Sequence, residues 1–124
     1  MEPKVLTDEE TEKLARACVD VCEGRKAQDI ALYDVRGSSI LADFYIICSA
    51  NSDPHIRAVC DALHRELGQT GRPPRVEGNA SSQWVIADCG PVLVHVLDPE
   101  RREYYRLEEL WDEGSLVYRS PEED

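Results

Sequence analysis

Two pairs of side chains in this sequence stand at the spacing of a half zinc site. Cys18 and Cys22 are four residues apart, and so are Cys60 and His64. On a helix, each pair would lie on one face and could supply two of four tetrahedral ligands. No CxxC completes either pair, and Cys18, Cys22 and Cys60 already fall on apolar stripes, so the expected metal set is none. His95 sits between Leu93 and Leu97 in an apolar run. A histidine there could be a general base, but it reads better as a hydrogen-bonded structural residue. No G-x-S-x-G and no cysteine–histidine elbow is present, and Cys48 and Cys89 lie in apolar strands, where a thiol's pKa rises.

Phosphate chemistry is the other option. A Gly-Ser turn before a strand opening Asp-x-Asp is how nucleotidyltransferases hold Mg²⁺ and a triphosphate, because two carboxylates one residue apart share a strand face. Here Gly37-Ser38 is followed by Asp43-Phe44-Tyr45. Tyr45 stands where the second carboxylate belongs, and one carboxylate cannot organise two metals. With no GxGxxG or Walker A motif either, no catalytic residue and no cofactor is expected. A docking reading needs aromatic anchors with polar neighbours, and a tryptophan buried under a helix is the alternative for Trp84. Trp84 is one of two tryptophans, and Tyr104-Tyr105 are adjacent, so they cannot both point inward.

The elements that must position these residues follow from pattern. Thr7 and Glu10 form a capping box ahead of a helix over 7–23, with Leu14, Cys18, Val21 and Cys22 at helical spacing and Gly24 stopping it. DIALYDV (29–35) reads as a strand, RGSS as a turn, and the almost wholly apolar FYIICSA (44–50) as a strand covered on both faces. Ser52 or Asp53 caps a helix with Pro54 in its first turn and a stripe of Ile56, Val59, Cys60, Leu63 and Leu67. RVEG opens another strand.

Gly90-Pro91 fits a type II′ hairpin turn pairing Cys89 with Val92, Ala87 with Val94 and Val85 with Val96. One hairpin face is then all core, from Val85, Ala87, Cys89, Val92, Val94 and Val96. The other is mixed, from Trp84, Ile86, Asp88, Leu93, His95 and Leu97. After Asp98-Pro99, residues 100–112 read as a helix with Tyr104, Leu107, Leu110 and Trp111 inward. Residues 113–124 read as an acidic tail, with SLVY able to add a short strand. The expected architecture is one α/β domain over 1–124, a mixed five-stranded sheet flanked by helices.

Composition narrows the partners. The chain has 124 residues and a net charge of −11. Residues 1–23 carry seven acids and three bases, residues 98–124 ten acids and four bases, and the middle is near neutral. Such a chain is a poor direct binder of nucleic acid; its acidic ends suit a basic protein partner, but on charge alone they read as solvated ends that keep the protein soluble. The five cysteines read as reduced, in a cytoplasmic setting, and no apolar run is long enough to span a membrane.

Taken together, KAQDIALYDVRG, LADFYIICSANSDPHIRAV and RVEGNASSQWVIADCGPVLVHVLDPERREYYRLEELW resemble the ribosomal silencing factor family, also called iojap-like, over about residues 8–111. The resemblance implies a mixed α/β sheet distantly similar to nucleotidyltransferases. It implies a non-enzymatic translational repressor that binds the large ribosomal subunit through its L-fourteen protein and blocks joining of the small subunit. Organelle relatives assist large-subunit assembly. A nucleotidyltransferase-like nucleotide-binding module is the alternative, and a homodimer off the ribosome stays open. The docking positions carried over are Trp84, Asp88, Cys89, Gly90 and Tyr105, with Pro91 shaping the rim. The chain departs from the family at Cys89 (often Leu), Gln83 (an acid or Gly), Ala42, Ala50 and Pro91, which stiffens the hairpin corner.

Overall fold

The computed structural model describes residues 7–39, 42–68, 74–110 and 115–121. Helix α1 (Asp8–Gly24) starts at the expected capping box: the Thr7 hydroxyl accepts the Glu10 N–H, and the Glu10 carboxylate accepts the Thr7 N–H. Helix α2 (Asp53–Gly68) is capped by Ser52, whose hydroxyl accepts the His55 N–H at 3.2 Å. Their apolar stripes face each other and one side of the sheet, so Ala15, Cys18, Cys22, Ile56, Val59 and Leu63 are buried.

The sheet contains β1 (Gln28–Asp34), β2 (Phe44–Ser49), β3 (Arg75–Glu77), β4 (Trp84–Asp88), β5 (Val92–Leu97) and β6 (Leu116–Arg119), in the order β3-β4-β5-β2-β1-β6. Among the described strands only β2 and β5 run parallel, at the centre. The sheet therefore has six strands, where the sequence reading gave five. The sixth is the optional strand in SLVY, shifted to 116–119, in what reads as tail. It forms because β1 otherwise has a bare edge: Ala31 and Leu32 pair with Arg119 and Tyr118.

Alternation along the strands divides the core. Ile30, Leu32, Phe44, Ile46, Cys48, Val85, Ala87, Val92, Val94 and Val96 face α1 and α2. Ala31, Tyr33, Tyr45, Ile47 and Leu97 form a smaller layer on the opposite face, with Trp84, Leu93, Leu107 and Leu116 half-buried at its margin. This explains why every residue of β2 is buried.

Helix α3 (Pro99–Tyr105) is shorter than expected. Asp98 caps it by accepting the Arg101 N–H at 2.8 Å, and Pro99 takes the first turn. It ends because Arg106 turns left-handed (φ 49°, ψ 51°), and a 3₁₀ turn over Leu107–Leu110 follows. The break in helical phase overturns two inward assignments: Tyr104 is 78% exposed and Leu110 69% exposed, while Leu107 keeps its place. Trp111 lies outside the described residues.

Candidate docking surface

The β4–β5 hairpin has the anticipated register, with Val85 opposite Val96 and Ala87 opposite Val94. The Cys89 N–H donates to the Val92 carbonyl at 2.9 Å, and Gly90 takes a positive φ of 86°. The Asp88 carboxylate accepts the Gly90 N–H at 2.9 Å, so one of its oxygens holds the corner itself. The Pro91 carbonyl accepts the N–H groups of Asp43 and Phe44, which seats the corner against the start of β2.

This arrangement splits the six expected docking residues. Trp84, Asp88 and Tyr105 share the face away from α1 and α2. The Cys89 side chain points the other way, into the helix-covered layer, where its Sγ lies 4.0 Å from that of Cys18. It is half-buried, so it is neither fully core nor part of the aromatic face. Gly90 and Pro91 stand with Asp88 at the corner, four strand residues from Trp84, or roughly 13 Å along β4.

The aromatic end is built by contacts far apart in sequence. The ring of Tyr105 packs on that of Trp84 at 4.7 Å between centroids, tilted by 45°. Tyr104 meets Tyr105 edge-on at 5.0 Å. Tyr105 is 48% exposed and Trp84 half-buried. The adjacency argument left one of the two tyrosines for the surface; the structure exposes both. Half-buried Ile86 and Leu93 continue the strip from Trp84 toward Asp88, so a ledge of rings passes into an apolar stripe ending at a carboxylate. Ile86 and Leu93 are in the mixed face that the period-two pattern marks, but nothing in the sequence tells which of that face is covered. Gln83 holds φ at 62°, a conformation that favours glycine.

Beneath the ledge lies His95, 8% exposed. The Trp84 indole N–H donates to His95 Nδ1 at 3.2 Å. An indole only donates, so Nδ1 carries a lone pair and the neutral ring holds its proton on Nε2. Tyr45 packs against the imidazole edge at 5.8 Å, and its hydroxyl lies 3.3 Å from the Ser39 Oγ. Burial pushes the His95 pKa from 6.5 down to about 4. These contacts match a structural histidine that orients the tryptophan. Unfolding restores the ordinary pKa, so the unfolded chain binds the extra proton. Stability from this group is intact above about pH 6.5 and is lost as the pH falls toward 4. The stability advantage of wild type over His95→Gln should therefore shrink by roughly 2 kcal/mol between pH 7 and pH 5 in urea titrations. An advantage that does not change with pH would show that His95 already carries its proton when folded.

A residue with no sequence signal holds α3 in place. Arg102 is 6% exposed. Its Nη1 donates to the Asp29 carbonyl at 2.6 Å and the Ser49 hydroxyl at 3.1 Å, and its Nε donates to the Glu108 carboxylate. Its Nη2 lies 3.6 Å from the Asp29 carboxylate, which also accepts from Arg119 at 2.7 Å. One guanidinium thus joins α3, the 3₁₀ turn, β2 and a bulge in β1, where Asp29 sits at φ 48°.

Of the pairs at zinc spacing, Cys22 and Cys60 are buried and His64 is exposed; burial pushes the Cys60 pKa up to about 12. Among the described residues, no group of three or more His, Cys, Asp or Glu side chains is placed to hold a metal.

The family described as ribosomal silencing factor during starvation matches residues 8–124. The chain belongs to this family. It is 35% identical over 97 residues to ribosomal silencing factor RsfS of Bacillus subtilis, covering 77% of this chain and 82% of the relative. The Haemophilus influenzae RsfS is 34% identical, with 79% of this chain and 97% of the relative covered. The mouse protein named mitochondrial assembly of ribosomal large subunit protein 1 is 30% identical, but the chain spans only 42% of its length. Among solved structures, a Chromobacterium violaceum protein superposes with a TM-score of 0.78 at 28% identity, over 88% of this chain and 93% of that one. A Bacillus halodurans protein gives 0.75 at 31% identity, over 86% and 98%.

Proposed function

We propose that the chain represses translation by docking on the large ribosomal subunit through its L-fourteen protein and keeping the small subunit from joining. It does so in the cytoplasm, as a non-enzymatic factor with little direct contact to nucleic acid. The observation that carries this reading is the aromatic ledge. In a family member matched over 8–124, Tyr104 and Tyr105 stand exposed beside Trp84. Rigid aromatic rings with an apolar stripe and a polar end are what an interface core uses for its anchors. The net charge of −11 favours encounter with a basic ribosomal protein. Asp88 has one carboxylate oxygen committed to its own turn, which leaves the other for a basic group of the partner.

The mouse relative's name favours a second reading, a role in assembly of the large subunit, which the same surface would serve. The nucleotide-binding alternative finds less support, since Tyr45 is buried against His95 where a second metal-binding carboxylate would be needed.

The test is sedimentation with purified subunits. The protein should travel with free large subunits on a sucrose gradient, and added isolated L-fourteen protein should release it. Preloaded large subunits should show reduced joining in light scattering. Sedimentation with the small subunit alone, or joining at the normal rate with the large subunit saturated, would overturn the proposal.

A further inference from the structure

The five cysteines of the chain gather on the helix-covered side of the sheet. Cys18 and Cys22 come from α1, Cys48 from β2 and Cys60 from α2, all buried, and Cys89 follows β4 at the margin. Every one is a free thiol. Cys18 and Cys89 have their sulfurs 4.0 Å apart, and Cys89 is the one half-exposed member.

We propose that Cys18 and Cys89 form a peroxide-driven, reversible disulfide, a modification site that ties the middle of α1 to the hairpin corner. A disulfide requires about 2.05 Å between the sulfurs, so the gap closes by about 2 Å, within reach of side-chain rotation. Cys89 lies just past the last residue of β4, and rotation of its side chain leaves the backbone bond from its N–H to the Val92 carbonyl in place. The Cys18 S–H points at the Cys89 sulfur. That hydrogen bond, and then burial, push the Cys18 pKa well above its ordinary range, so Cys18 stays protonated and oxidation starts at Cys89.

The chemistry balances with hydrogen peroxide as the oxidant. The Cys89 sulfur attacks one peroxide oxygen; an S–O bond forms, the O–O bond breaks, and the departing hydroxide takes up the Cys89 proton as water. The Cys18 sulfur then attacks the sulfur of the Cys89 sulfenic acid. An S–S bond forms, the S–O bond breaks, and the second hydroxide leaves as water with the Cys18 proton. Two thiols lose two electrons in all, and one peroxide gains them. A thiol reductant reverses the bond by exchange at Cys89, the accessible sulfur. The inference stands on the thiol geometry and does not depend on the docking reading.

The folded full-length protein is treated with stoichiometric hydrogen peroxide, alkylated under denaturing conditions and mapped without reduction. Two of the five thiols should escape alkylation, linked as Cys18–Cys89, and dithiothreitol should restore both. Because Cys18 and Cys22 share the tryptic peptide 17–25, fragmentation must separate them. Cys18→Ala should stop at a sulfenic acid on Cys89, trapped by dimedone. If that variant does not fold, Cys89→Ser, altered at the half-exposed position, decides alone: the two-thiol loss should vanish. Five alkylated thiols after treatment, a bond mapped to another pair, or Cys89 driven to sulfinic acid while Cys18 stays alkylatable would each overturn the proposal.

Discussion

Tyr105→Ala is expected to weaken binding to the large subunit by roughly thirtyfold or more while melting within a few degrees of wild type. Tyr105 has nearly half its surface open, and its ring rests on Trp84 without reaching the deeper layer. Removing it takes away an interface anchor and little of the fold. Trp84→Ala is a different experiment. Its indole packs against the second apolar layer and donates to His95 Nδ1. Truncation leaves that buried acceptor without its donor and opens a cavity, so it should cost about 2–4 kcal/mol of folding stability as well as binding. Trp84→Phe separates the two effects: it keeps a ring under Tyr105 but removes the N–H, so stability falls while most of the docking persists. Calorimetric melting paired with sedimentation reads all three variants. If Tyr105→Ala binds like wild type, the ledge is not the docking surface. If Trp84→Ala melts like wild type, the indole–histidine contact carries no weight.

A second large loss of stability is expected from Arg102→Met. The substitution keeps the apolar stem but removes the fork that serves the Asp29 carbonyl, the Ser49 hydroxyl and Glu108. Losing one partner of a buried ionic network typically costs about 3–5 kcal/mol. Asp29 and Glu108 keep some access to water, so about 2–3 kcal/mol is the expectation. Arg102→Lys should recover only a minor part, since an ammonium on a flexible stem cannot reach three acceptors on separate elements at once. The damage should be uneven. Amide exchange over 99–110 should quicken more than in α1 or α2, and docking should weaken even though Arg102 is itself hidden, because α3 carries Tyr104 and Tyr105. Chemical denaturation of Arg102→Met within about 0.5 kcal/mol of wild type would mean that the clamp is incidental.

What the sequence disclosed and what it hid differ in range. Thr7 and Ser52 cap helices using groups three residues away, and Gly90 sets a hairpin whose pairs are close neighbours in the chain. Such local rules can be read from a window of residues. Arg102 meets partners 73 and 53 residues earlier, and Tyr118 donates to a carboxylate 95 residues earlier. No periodicity encodes those. The end of α3 was hidden for another reason: Arg106 adopts a left-handed conformation with no glycine or asparagine to announce it. The residues of the proposed docking face could be named one by one from the sequence, but which of them share a face could not. Strand alternation puts Trp84 and Cys89 on opposite faces, and only the long-range stack of Tyr105 on Trp84 decides which face presents rings.

The pairing of β6 with β1 also bears on how the protein is made. Strand β1 leaves the ribosome well before its outer neighbour, which follows much later in the chain. Strand β2 likewise waits for β5, its parallel partner at the centre of the sheet. The helices can form on the growing chain, but the sheet cannot close until β6 has emerged. Up to that moment β1 presents unpaired amides and carbonyls to any neighbouring strand. Contacts of such wide sequence separation make for slow folding. The nascent chain therefore has a vulnerable interval set by translation speed, and overproduction at high temperature should yield aggregates held together through β1.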